Sequence, residues 1–134
     1  MREILFFSNN ENKIIEIKNI FTNFTYKILN LNNFEKINSP YEGGKTFEEN
    51  AKIKSLFGLN YFKTVCFADD SGICIKSMNG GPGIKSKSFL MSKKNTTDIF
   101  NKIIQNAKTK KDFSAFFQTT ICLSKKLDEH IFFT

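Results

Sequence analysis

The chain of 134 residues has little of several features that mark large protein classes. Its seven glycines and two prolines are too few for a collagen-like repeat or a generally disordered composition. No apolar run approaches the roughly 20 residues that a membrane-spanning helix needs. The N-terminal segment turns polar at Ser8 and predicts no signal peptide. These absences predict a single domain over residues 1–134, located in the cytoplasm and without a membrane partner.

Arginine, histidine and paired cysteines are also scarce. Arg2 is the only arginine, although 20 Lys and Arg face 13 Asp and Glu and give a net charge of +7. Proteins that read nucleic-acid bases usually rely on arginine forks, so no nucleic-acid partner is expected and the lysine excess is interpreted mainly as surface charge. Such a charge would favour any polyanionic ligand, including a nucleotide. The three cysteines form no CxxC pattern and predict buried reduced thiols rather than a disulfide or zinc site. His130, the one histidine, offers no Ser–His–Asp arrangement.

The hydrophobic pattern alternates between strand and helix periods. It predicts strands at 3–7, 26–31, 65–68, 73–75, 113–123 and 130–134. It predicts helices that begin after a polar cap at 8–10, run from Thr46 to near Gly58, and span 96–108. The 16 phenylalanines are expected in the core. This order of elements predicts an α/β fold.

A first polar cluster, residues 8–13, lies at the start of the first predicted helix. Backbone N–H groups at a helix start attract anions, and Lys13 adds a positive charge one turn inside. The alternative interpretation is an ordinary helix cap beside a solvated lysine.

A second cluster spans residues 42–54 at the start of the next helix. Glu42 lies in a glycine-containing loop that can reach a metal, and Lys54 lies about two turns into the helix. Thr46 and Glu49 have the spacing of a capping box. The alternative is a capped helix with exposed charges.

Asp69 and Asp70 directly follow the apolar run 65–68. Adjacent carboxylates repel each other unless a cation or several N–H groups neutralise them. Mg²⁺ suits such oxygen ligands, since it usually binds one or two carboxylates plus substrate phosphates. One aspartate could hold the metal while the other orients or deprotonates a water molecule. The alternative is an Asx-type turn. Residues 79–86 form a fourth cluster whose glycines permit either a close approach to a ligand or a purely structural turn.

Together the four clusters resemble the Ham1-like inosine triphosphate pyrophosphatase family in order and spacing. The matching segments are SNNENK (8–13), EGGKTFEENAKIKS (42–55), FADDSGICI (67–75) and NGGPGIKS (79–86). The resemblance implies a mixed twisted sheet with flanking helices. It also implies a Mg²⁺-dependent hydrolase that cleaves deaminated purine nucleoside triphosphates (ITP, dITP, XTP) into a monophosphate and pyrophosphate.

The resemblance further assigns roles to individual residues. The implied substrate-binding residues are Ser8, Asn9, Asn10, Glu11, Asn12, Lys13, Lys54 and Ser71. Glu42 and Asp70 are implied to bind Mg²⁺, and Asp70 is also implied to accept the proton of the attacking water. The residues implied to support the site are Asp69, Glu49 and Asn50.

The chain is expected to correspond to the N-terminal two thirds of a family member, because the family's base-gripping C-terminal segments do not occur within residues 1–134. Besides the nucleotide, the expected partner is therefore a second copy or a complementing C-terminal fragment. Two alternatives stay open: an inactive fragment that retains Mg-nucleotide binding, and a small basic nucleic-acid-binding domain.

Overall fold

The computed structural model describes residues 2–92 and 95–134, in which strands and helices alternate up to the third strand. The strands are β1 (Arg2–Phe6), β2 (Tyr26–Asn30), β3 (Cys66–Ile75), β4 (Gly81–Pro82), β5 (Ala115–Lys126) and β6 (Glu129–Phe133). The helices are α1 (Glu11–Ile20), α2 (Phe47–Phe62), α3 (Ser86–Met91) and α4 (Thr96–Lys110). Within these ranges no helix has the length and apolar character to cross a membrane.

The strands form a mixed sheet in the order β2-β1-β3-β5-β6, and β4 pairs with β3. Both β2 and β3 run parallel to β1, whereas β4 is antiparallel to β3 and β6 is antiparallel to β5. Parallel neighbours need long crossover connections, which here contain α1 and α2. The predicted α/β fold with a mixed sheet is confirmed.

Tertiary contacts divide the chain into two compact units. The first unit comprises Met1–Asp69 and Thr120–Thr134, and the second comprises Asp70–Thr119. Strands β3 and β5 each contribute residues to both units. The assignment of residues 1–134 to a single domain stays a prediction.

The core of the first unit lies on both faces of β1. One cluster contains Leu5 and Phe7, and the apolar residues packed against it include Phe57 of α2. The other cluster contains Phe6 together with Ile14 of α1. Successive side chains of a strand point to opposite faces, which places Leu5 and Phe6 in different clusters. Helices α1 and α2 therefore cover opposite faces of β1.

The predicted end of α2 near Gly58 is wrong. The helix continues to Phe62 and ends at Lys63, whose φ is 55°. Gly58 is buried inside the helix, where an added Cβ would meet Cys66 Sγ and would lie 2.9 Å from the Phe7 ring. The glycine lets the helix approach the sheet closely and is therefore no stop signal.

The predicted break in the strand at residues 69–72 is also wrong. Strand β3 runs without interruption from Cys66 to Ile75 and includes both aspartates. Because neighbouring strand residues point to opposite faces, the Asp69 and Asp70 side chains diverge, which weakens their mutual repulsion. The alternative of an Asx-type turn does not hold.

Helix α3 and the length of β5 are further differences from the sequence prediction. The hydrophobic pattern predicted no helix at Ser86–Met91, where α3 lies. It predicted that the strand ends at Leu123, whereas β5 continues to Lys126. Several phenylalanines also lie outside the core, since the exposed fractions of Phe113, Phe116 and Phe117 are 70%, 61% and 70%. The prediction that the phenylalanines form core is wrong for these positions.

The cysteine prediction is confirmed. Cys66, Cys74 and Cys122 are free and buried. Burial raises the pKa of the Cys66 thiol well above its ordinary value, so this thiol stays protonated at neutral pH.

Candidate active site

The turn between β1 and α1 is fixed by its own polar side chains. Asn10 caps α1, since its Oδ1 accepts from the Lys13 backbone N–H at 3.2 Å. The Asn10 N–H in turn donates to Ser8 Oγ at 3.1 Å, and the Ser8 carbonyl accepts from the Leu31 N–H at 3.1 Å. Asn9, on the same turn, is exposed. This arrangement confirms the predicted cap, because a polar residue of the 8–10 turn satisfies an N–H group at the start of α1.

Glu11 and Asn12 form the first residues of α1, and both are exposed. A glutamate in the first turn interacts favourably with the helix dipole. Their position at the helix start places both beside the Ser8–Asn10 turn, where sequence analysis expected them.

Lys13 forms an ion pair with Asp69. Its Nζ lies 2.5 Å from Asp69 Oδ2, and the side chains are 38% and 10% exposed, respectively. Lys13 thus has a carboxylate partner while more than a third of its side chain stays exposed to solvent. An ammonium group at this distance offsets the charge of a nearly buried carboxylate next to Asp70. The pair links the start of α1 to the middle of β3, across 56 residues of sequence.

Glu42 and Lys54 form a second ion pair in the same unit. Lys54 Nζ lies 3.0 Å from Glu42 Oε1, and the lysine side chain is only 18% exposed. The alternative of a helix with exposed charges therefore does not hold at Lys54. This bond brings the loop before α2 against the second turn of that helix, so a ligand of Glu42 would also be near a lysine.

Two further residues hold this loop in place. Asn50 is buried, and its Oδ1 accepts from the Gly44 N–H at 2.9 Å. Thr46 accepts from the Glu49 N–H at 3.1 Å, but Glu49 Oε2 accepts from the Lys45 N–H at 2.6 Å. The reciprocal bond of a capping box is thus shifted by one residue. Asn50 and Glu49 support the loop that carries Glu42, which agrees with a supporting role.

Asp70 and Ser71 belong to the second unit and lie in β3. Asp70 is buried and Ser71 is half-buried. Ser71 Oγ lies 3.0 Å from Thr119 Oγ1 of β5. Thr119 could not be found from the sequence, because a single threonine in a predicted strand gives no local signal of a partner 48 residues away.

The 79–86 segment builds the support for β3 immediately after these residues. Ser86 Oγ accepts from the Ile73 N–H at 2.9 Å and donates to the Gly83 carbonyl at 2.6 Å. Gly83 has a φ of 55°, and an added Cβ on Gly72 would meet the Gly83 carbonyl oxygen. These contacts give the fourth cluster a structural role, with Gly72 required by the close approach of the two backbones.

Asp70 and Glu42 carry the carboxylates that the resemblance assigns to a metal. Among residues 2–92 and 95–134, no group of three or more His, Cys, Asp or Glu side chains is arranged to hold a metal. The carboxylates of Asp70 and Glu42 offer hard oxygen ligands. Mg²⁺ typically takes one or two carboxylates and completes its shell with waters and substrate phosphates. The chemistry of these two carboxylates therefore suits Mg²⁺.

A second polar network was also missed by sequence analysis. Ser124 Oγ lies 2.8 Å from Ser55 Oγ and 2.8 Å from His130 Nδ1. Both serines are fully buried. Because Ser55 is the neighbour of Lys54, this network anchors the helix that carries the lysine to the β5–β6 hairpin.

Comparisons with known proteins place these observations in a family. The model of the Ham1 family matches residues 4–134. The dITP/XTP pyrophosphatase of Flavobacterium psychrophilum is 32% identical over 130 residues, which cover 97% of this chain and 68% of the relative. The dITP/XTP pyrophosphatase of Borreliella burgdorferi is 36% identical over 132 residues, which cover 94% and 64%.

Solved structures agree with the sequence relatives. A HAM1 protein from Coxiella burnetii superposes with a TM-score of 0.83 at 28% identity, over 98% of this chain and 68% of that protein. The Staphylococcus aureus Ham1 protein gives a TM-score of 0.80 at 31% identity over the same shares. The chain thus spans about two thirds of the length of the proteins it matches. By sequence and by fold, the chain belongs to the Ham1 family.

Proposed function

We propose that the chain is a nucleoside triphosphate pyrophosphatase that hydrolyses deaminated purine nucleotides (dITP, XTP and ITP) to the monophosphate and pyrophosphate. Its relatives are named dITP/XTP pyrophosphatases. The structural observation that carries the proposal is the Lys13–Asp69 pair, which fixes an ammonium group beside the capped start of α1. A helix start with an oriented lysine is suited to a polyphosphate chain.

In this proposal, phosphate binding is the task of the 8–13 turn and of Lys54. The positive end of the α1 helix dipole attracts the phosphates, and Ser8 and Asn10 shape the turn that precedes it. Lys13 and Lys54 are each held by a carboxylate at 2.5 and 3.0 Å, so both ammonium groups are oriented before the nucleotide arrives. We also assign substrate binding to three exposed residues of the same turn and helix start, Asn9, Glu11 and Asn12.

We assign the cofactor as Mg²⁺, with Asp70 and Glu42 as its protein ligands. The ion would neutralise charge on the phosphates and polarise the bond that breaks. Asp69 supports the site by holding Lys13 in an ion pair. Glu49 and Asn50 support it by bonding backbone N–H groups of the loop that carries Glu42.

The hydrolysis itself needs one base and little covalent chemistry. A water oxygen attacks the α-phosphorus, and the bond from that phosphorus to the bridging oxygen breaks. Asp70 accepts the proton from the water, and pyrophosphate leaves. Ser71 and the two lysines bind the phosphates during this step.

The test is pyrophosphate release by residues 1–134 with Mg²⁺ and dITP, XTP or dATP, alongside calorimetric binding of the same nucleotides. Because the family's base-gripping segments do not occur within residues 1–134, we expect nucleotide binding with little release and no preference for dITP over dATP. Asp70→Asn should lower the remaining release at least about tenfold, equivalent to about 1.4 kcal/mol of barrier. Asp128→Asn, an equal charge change at an exposed position, is the control. Release that Asp70→Asn leaves unchanged would overturn the role of Asp70, whereas neither binding nor release would overturn the proposed function.

We also propose a protein partner for β6. This strand ends the sheet order, and Ile131, Phe132 and Phe133 are 39%, 42% and 56% exposed. An edge strand with apolar side chains favours pairing with another chain, either a second copy or a complementing C-terminal fragment. Sedimentation of residues 1–134 at several concentrations separates a monomer from a dimer. The cytoplasmic location and the absence of a nucleic-acid partner stay predictions.

A further inference from the structure

Ser71 and Thr119 hold their hydroxyl groups together within the second unit. The two oxygens lie 3.0 Å apart, on strands β3 and β5. Ser71 is half-buried and Thr119 is exposed, so both hydroxyls are accessible. A ligand that reaches Ser71 therefore meets a hydroxyl whose orientation depends on its neighbour.

We propose that Thr119 is a positioning residue for nucleotide binding: its hydroxyl donates to Ser71 Oγ and directs the Ser71 proton toward a phosphate oxygen. This inference rests on the proposed function, because it takes Ser71 as a substrate-binding residue. Nothing in the family motifs quoted above includes Thr119, which lies 33 positions after the last of them.

The direction of the bond follows from the number of protons. Each hydroxyl has one proton to donate and two lone pairs that accept. A phosphate oxygen only accepts, so a Ser71 hydroxyl that binds phosphate has already used its proton. The bond between the two side chains then has Thr119 as donor and Ser71 as acceptor. Hydrogen bonds in such a chain polarise one another, which makes Ser71 a better donor.

A valine at position 119 isolates this effect. Valine has nearly the shape of threonine and an equal preference for strands, but it lacks the hydroxyl. The loss of one hydrogen bond that orients Ser71 should weaken nucleotide binding about fivefold. Serine at position 119 keeps the donor, and Thr119→Ser should therefore bind as the wild type does.

The experiment measures calorimetric binding of Mg²⁺ with the α,β-imido analogue of dITP, which cannot be hydrolysed at the proposed bond. The variants are Thr119→Val, Thr119→Ser, Ser71→Ala and the double variant Ser71→Ala with Thr119→Val. Thr109→Val is the matched control, because Thr109 is exposed and bonds the Gln105 carbonyl of its own helix. Thermal unfolding of each variant is recorded in parallel.

We expect Thr119→Val to bind about fivefold more weakly, with Thr119→Ser and Thr109→Val near the wild type. In the double variant the valine should add nothing to the loss from Ser71→Ala, since its effect passes through Ser71. A merely structural role would lower the unfolding temperature and would make the two losses additive. Wild-type binding by Thr119→Val, or additive losses, would overturn the positioning role while leaving the proposed function intact. Absence of binding by the wild type would overturn both.

Discussion

Replacing Gly58 by alanine tests whether close packing or helix propensity decides the stability of α2. Glycine in a helix interior is disfavoured by about 1 kcal/mol relative to alanine, so propensity alone predicts a more stable protein. The structure predicts the opposite. The new Cβ would meet Cys66 Sγ and would lie 2.9 Å from the Phe7 ring, and both of these residues are buried.

The magnitude follows from setting these two effects against each other. Overpacking a well-packed core costs about 1–3 kcal/mol, and the burial of both Cys66 and Phe7 places this site near the upper value. After subtraction of the propensity gain, Gly58→Ala should destabilise the protein by about 2 kcal/mol. With a typical dependence on urea of about 2 kcal/mol per molar, the unfolding midpoint should fall by about 1 M.

The assay is urea unfolding followed by circular dichroism, with two further variants. Asn60→Ala, an exposed change in the same helix, should gain stability and thereby report propensity alone. Cys66→Ala removes the sulfur that the new Cβ would meet, so the double variant should recover at least about 1 kcal/mol relative to additive losses. A Gly58→Ala protein as stable as the wild type, or strictly additive losses, would refute the packing argument.

Three other predictions concern stability, titration and thiol reactivity. Ser124→Ala removes the partner of Ser55 and of His130 and should cost about 1–3 kcal/mol in urea unfolding, whereas Ser88→Ala at an exposed position should cost little. The Ser114 backbone N–H holds the pKa of Asp112 below its ordinary value, so NMR titration should give a midpoint below about 3.8. The pKa of Asp112 is lower in the folded chain than in the unfolded chain, so the ionised carboxylate stabilises the fold at pH values above the unfolded-state pKa. This stabilisation is lost as the pH falls through the folded-state pKa, and Asp112→Asn should remove this pH dependence. The three buried thiols, Cys66 included, should react with a thiol reagent only after unfolding, and rapid labelling of the native chain would contradict the burial.

Local sequence signals predicted the features that depend on a few neighbouring residues. The cap at Asn10, the start of α2 after Thr46 and the positions of β1, β2 and α4 follow from side chains within four residues of each other. The four motifs likewise identified the Ham1 family, because a motif is by definition a local pattern.

Features that depend on residues distant in sequence could not be predicted from local sequence signals. A glycine typically indicates the end of a helix, yet Gly58 lies inside α2. Glycine is needed there because Cys66 and Phe7 leave no room for a Cβ. The pattern predicted a break in the strand at residues 69–72, yet β3 continues through both aspartates, and the charge of Asp69 is offset by a lysine.

In the candidate site too, some features could be predicted locally and others depend on residues distant in sequence. Sequence analysis selected Lys13 and Lys54 by residue type and spacing, but only the tertiary structure supplied the carboxylate that orients each of them. Thr119 lies 48 residues from Ser71 and gave no signal at all. Short-range hydrogen bonds and hydrophobic periodicity are therefore enough to identify the motifs and most of the elements. Which side chains pair was decided by tertiary packing, because packing brings residues distant in sequence, such as Lys13 and Asp69, within bonding distance.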